Sequence, residues 1–121
     1  MNKKNNFKKK NSKNINEEWT RLFERSSSRG IAVIRNGKVI GAGVNFAKMV
    51  GHNYKDVIGT VVIDFITPEQ RLIVDNNIKS YNEISYETFI QRKDGAVLPV
   101  VANGRYIPNS NLTIWMVSTM D

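Results

Sequence analysis

The chain has 121 residues, 18 of them basic and 11 acidic, with no cysteine and one histidine. That length suits one domain of ordinary size. The missing thiols exclude disulfides, thiolate metal sites and cysteine nucleophiles, and the lone His52 excludes a histidine-based zinc cluster.

No apolar run approaches the roughly 18 residues of a membrane span, and the first residues are lysine and asparagine rather than an apolar leader, so a cytoplasmic protein is expected. The formal charge of +7 is unevenly spread. Residues 1–14, MNKKNNFKKKNSKN, carry six lysines and no acid, which leaves 12 basic and 11 acidic residues in the remainder. A block of this kind repels itself and buries nothing, so a disordered basic arm is expected. It could touch nucleic acid or an anionic membrane weakly. A solubilising tail explains it as readily, because Phe7 is its only ring.

Asn14 and Glu17 have the spacing of a capping box, and Ile15, Trp19, Leu22 and Phe23 fall at helical intervals, which predicts an amphipathic helix over residues 15–25. Ser26 to Gly30 breaks it, and residues 26–121 make up the domain proper. In IAVIRNGKVIGA, Asn36-Gly37 joins two apolar runs as a tight hairpin with strands Ile31–Arg35 and Lys38–Ala42. NFAKMVG, YKDVIG and VVIDFI read as short helical pieces, with Gly51 and Gly59 at helix ends. A longer helix is predicted to start at Pro68 and end near Ser80, with Thr67 as N-cap and Gln70 completing a capping box. Val74 and Ile78 form its inward stripe, while Arg71, Asp75 and Lys79 face water.

Asp94-Gly95 in QRKDGAVLPV marks a second hairpin. Alternation turns Ile84, Tyr86, Thr88 and Ile90 inward on one side of it, and Leu98, Val100, Ala102 and Tyr106 inward on the other. Phe89, Val97, Val101 and Ile107 then lie on the opposite face. PNSN turns the chain into a last strand, LTIWMVST, in which the register, and hence the face of Trp115, is left open. Two strands, several helices and three strands imply an α+β fold, one antiparallel sheet with helices across one face.

The stretches LFERSSSRGIAVIRNGKVI, FAKMVGHNYKDVIG, DFITPEQR and RKDGAVLPVVANGR, with the closing WMVSTMD, resemble a PAS domain from Glu18 to Asp121. The resemblance rests on their order and on the spacing from Met49-Val50-Gly51 through Ile58-Gly59 to Asp94-Gly95. It implies a five-stranded antiparallel sheet with short helices, which sensor proteins use to hold a ligand or to pair with a partner. An output partner is implied as well, such as a histidine kinase, a cyclic-nucleotide enzyme or a transcription regulator. The sequence leaves open an excised sensor or a free-standing module.

Haem-binding members use a histidine on the long helix, and residues 68–80 have none. Covalent flavin photochemistry and thioester-linked pigments each need a cysteine. A flavin or other small organic ligand would therefore bind non-covalently, with Phe65, Val74, Ile78, Tyr86, Val100 and Trp115 as candidate lining, although the same residues would equally fill a core. Gly43 stands where many members place asparagine, with Asn45 a candidate to cap in its stead. His52 stands where an aromatic residue usually follows the glycine, and reads as a polar helix-end residue rather than a pH switch.

The outer apolar patch around Phe89 and Val101 matches the apolar face formed by Trp19, Leu22 and Phe23, which predicts a cap or homodimer interface between them. Catalysis is not expected. Asp64 and Glu69 sit at helix ends, Ser26 to Ser28 have no base nearby in sequence, and Gly41 to Gly43 lacks the lysine and long helix of a phosphate loop. Two readings stay open: a sensory or regulatory module in signal transduction, and a ligand-free dimerisation module tethered by its basic arm. Nucleic-acid binding by the arm is a third.

Overall fold

The computed structural model describes residues 29–81 and 83–120. The predicted arm, residues 1–14, and the predicted helix, residues 15–25 with Trp19, Leu22 and Phe23, lie outside the described residues. Five strands, β1 (Gly30–Arg35), β2 (Lys38–Ala42), β3 (Ser85–Gln91), β4 (Val97–Ile107) and β5 (Leu112–Thr119), form one antiparallel sheet in the order β2-β1-β5-β4-β3. The last strand thus sits in the middle, paired with the first, and Ala32 stands opposite Trp115. Asn36 and Gly37 make the first turn with φ of 52° and 79°, the left-handed pair that suits the twist of a tight hairpin.

Between β2 and β3 the chain forms α1 (Val44–Val50), α2 (Tyr54–Val57), 3-10 turns at Val62–Phe65 and Pro68–Gln70, and α3 (Arg71–Lys79). These elements cover one sheet face, where Phe46, Val50, Phe65, Val74 and Ile78 pack with Ile34, Val100 and Trp115 in one buried cluster. Each such side chain contributes roughly 1.5–3 kcal/mol through burial, which holds helices that are too short to stand alone. Backbone bridges from Val61 to Lys38 and from Ile66 to Ile90 close off part of both sheet edges.

α1 ends at Gly51, which takes the left-handed conformation (φ 73°). The Arg92 guanidinium donates to the carbonyls of Lys48 (2.9 Å) and Met49 (3.0 Å), and the Lys93 amide donates to Val50 (3.1 Å). A cation on the last carbonyls of a helix satisfies orphan acceptors and opposes the negative end of the helix dipole, and here it ties the β3–β4 hairpin to α1.

Three expectations need correction. The capping box at Thr67 does not form: a 3-10 turn precedes α3, the Gln70 amide donates to the main-chain oxygen of Thr67 (2.9 Å), and the Thr67 side chain makes no cap bond. Because the tight turn satisfies that amide through the backbone, the α-helix starts only at Arg71, whose Nε–H donates to the Ile66 carbonyl (3.0 Å). Asn45 lies inside α1 and does not replace a cap; Gly43 occupies the N-cap position with no side-chain bond. Ile84 does not join the inner face, since β3 begins one residue later and Ile84 is exposed. On the outer face Phe89 and Val97 are 43% and 55% exposed, while Val101 and Ile107 are half-buried. Among the described residues no helix is long and apolar enough to cross a membrane.

Candidate functional site

The register of β5 puts Trp115 on the inner face, fully buried and directly across from Gly104 of β4. Ala102 and Gly104 leave little side chain on that stretch of β4. The indole can therefore lie across the strand toward β3, two strand spacings away, or roughly 10 Å. There its Nε1–H donates to the Tyr86 hydroxyl at 2.9 Å. A glycine inside a strand is a recurrent sign of close approach by another group, and here that group is the indole.

Around this pair the last turn of α3 and the three strands enclose a niche of about 10 Å³, lined by Ile78, Tyr81, Tyr86, Gly104, Tyr106 and Trp115, with Asn77 and Thr113 completing it. A space of that size holds about one water. Burial pushes the Tyr86 phenol up from its ordinary value, against a smaller downward pull from the Trp115 hydrogen bond. The hydroxyl is therefore neutral at physiological pH, accepts from Trp115, and keeps its own proton to donate. Tyr81 lies tilted on Tyr106, ring centroids 4.1 Å apart at 42°.

Tyr81, Ile78 and Thr113 also form a wall of a second, open space of about 280 Å³, bounded further by Ile34, Lys79 and the turn residues Asn36, Gly37 and Asn111. The two hairpin turns and the end of α3 meet there because β1, β2, β4 and β5 all turn at the same end of the sheet. Lys79 pairs with Asp75 one turn back along α3 at 2.9 Å.

The six residues singled out in the sequence as pocket lining divide. Ile78, Tyr86 and Trp115 line the niche. Phe65, Val74 and Val100 lie in the packed core, at most 2% exposed. From Trp115 an edge-on aromatic series runs through Phe46 (6.1 Å) and Phe65 (5.9 Å) to His52 (5.2 Å), so His52 leans on the core from the end of α1. Tyr81, Tyr106 and Gly104 were not singled out as site residues. Gly104 in the middle of an alternating strand was the signal available for them. Among the described residues no group of three or more histidine, cysteine or acidic side chains is placed to hold a metal ion.

No family model and no curated protein matches the sequence. Solved structures match its fold. The PAS domain of an HTR-like protein from Haloarcula marismortui superposes with a TM-score of 0.71 at 16% identity, covering 86% of this chain and 96% of that one. A PAS domain from a two-component sensor histidine kinase gives 0.71 at 8% identity, covering 88% and 98%. The PAS domain of the fruit-fly ELK potassium channel gives 0.66 at 13% identity, covering 77% and 87%. With five antiparallel strands, short helices on one face and this set of structural neighbours, the chain has the fold of a PAS domain.

Proposed function

We propose that the chain is a sensory or regulatory module in signal transduction. It binds a small molecule non-covalently beside Trp115 and passes the change through the sheet to its outer face and to a partner. The observation that carries this reading is the narrow aromatic niche with a neutral hydroxyl donor, adjoining an open groove on the helix-covered face. Such a pairing of apolar walls with a few convergent polar groups is what small-molecule sites need. The similarity in fold to a domain from a sensor histidine kinase supports the same reading and makes a kinase of that type a reasonable output partner.

For the output surface we assign residues 15–25, with Trp19, Leu22 and Phe23, to the outer sheet face, in their own subunit or across a homodimer. Support comes from Ile31, Val33 and Ile114. They alternate with the core residues Ala32, Ile34 and Trp115 and so point away from the described helices, yet all three are buried. Ligand binding on the inner face would shift the populations of the sheet, and a cover on the outer side of β1 and β5 would respond with it.

Exposure of Phe89 and Val97 on the outer face favours a second reading, a ligand-free dimerisation module. Native mass spectra before and after denaturation separate the two. A reproducible small mass released on unfolding supports the sensor. A clean dimer without such a mass favours the interaction module, and a bare monomer overturns the dimerisation reading.

A further inference from the structure

Tyr81 has a combination of properties that packing alone does not call for. Its φ is 54°, in the left-handed region, where asparagine and glycine are at home but a bulky aromatic is an outlier. It follows the end of α3, the residue is 43% exposed, and its ring lies tilted against Tyr106. It is also a shared wall of the niche and of the groove. Strain of this kind persists where surrounding contacts hold it and tends to mark functional positions.

We propose that the Tyr81 ring is a displaceable plug, and that a monocyclic aromatic acid takes its place against Tyr106, joining niche and groove into one site. This rests on the sensory reading given above and names the ligand class for it. Removing the plug frees a ring-sized space continuous with the niche, where the Tyr86 hydroxyl and the Trp115 indole edge lie. The groove sets the head group. Among the described residues, its polar side chains Asn36, Asn111, Thr113 and Lys79 can all donate hydrogen bonds, its one charged side chain is the Lys79 ammonium, and no carboxylate lines it. The Asp75–Lys79 pair is a partly exposed contact within one helix, of the kind that holds its partners weakly, so the ammonium can be shared with a ligand carboxylate. The plug lowers apparent affinity by the fraction of time that it is open.

The test uses the full chain and three probes with one ring and different heads: benzoate, phenol and benzylammonium. Binding is read from the Trp115 indole N–H resonance. Benzoate is expected to shift it saturably and to bind best. Tyr81→Gly, which removes the plug and suits the backbone, is expected to tighten benzoate at least tenfold. Tyr106→Leu should weaken it to a similar extent. Lys79→Gln should weaken benzoate several-fold and leave phenol unchanged. If Tyr81→Gly folds but binds benzoate no more tightly than the parent, the plug is refuted. If phenol or benzylammonium binds as well as benzoate, the acid class is refuted while a small-molecule site stands. If no probe moves the resonance in either protein, the inference and the sensory reading of this site fall together.

Discussion

Tyr86→Phe removes one oxygen atom and little packing volume, which largely isolates the hydrogen bond that anchors the niche. In the native protein the Trp115 Nε1–H donates to that oxygen at 2.9 Å, and the tryptophan is 0% exposed. The substitution leaves a buried indole donor without the acceptor it has in the native protein. An unsatisfied buried donor costs about 1–3 kcal/mol. That is a sizeable part of a domain stability of roughly 5–15 kcal/mol. With a urea dependence of about 1–3 kcal/mol per molar, the unfolding midpoint should fall by about 1 M. Thr88→Val supplies the opposite case on the same strand. Thr88 Oγ1 is buried and has no hydrogen-bond partner among the described residues, so the nearly isosteric apolar residue should leave stability unchanged or raise it by about 1 kcal/mol. Urea titrations followed by tryptophan fluorescence and by circular dichroism measure both. A Tyr86→Phe loss below about 0.5 kcal/mol would refute the reasoning, because it would mean that the indole donor is satisfied without Tyr86.

The remaining predictions concern pH and two contacts away from the niche. Burial holds the Tyr86 phenol above its unfolded value near 10. Above that pH the unfolded chain loses a proton that the native chain keeps, so stability is full below about pH 10 and declines as pH rises through the native value. The parent should therefore lose stability in the alkaline limb more steeply than Tyr86→Phe, as seen in thermal melts across that range; parallel curves would remove Tyr86 as the cause. Arg92→Ala removes the guanidinium donor from the Lys48 and Met49 carbonyls and should cost about 1–2 kcal/mol, with faster amide exchange at Val50 and Gly51 than at β5. Gly30→Ala would place a Cβ 2.9 Å from Met49 Sδ and 3.0 Å from Phe46 Cα. Because the second of these is backbone, a loss of about 1–3 kcal/mol is expected in the same titrations.

Local chemistry in the sequence determined most of the elements. Asn36-Gly37 and Asp94-Gly95 have turn chemistry that needs no tertiary partner, and strand alternation placed Val100, Ala102 and Ile90 on the inner face, where they are buried. The α3 stripe of Val74 and Ile78 was legible for the same reason, a fixed period imposing a fixed face. Only the tertiary structure decided the rest. Thr67 reads as an N-cap locally, yet a 3-10 turn satisfies the amide from the backbone. Trp115 could face either way until β5 was paired between β1 and β4, since a shift of one residue reverses every side chain in a strand. The niche itself combines a helix end, Tyr86, Gly104 and Trp115 from α3 and three strands. The contact between Tyr86 and Trp115 spans 29 positions of chain, and no local pattern encodes such a distance.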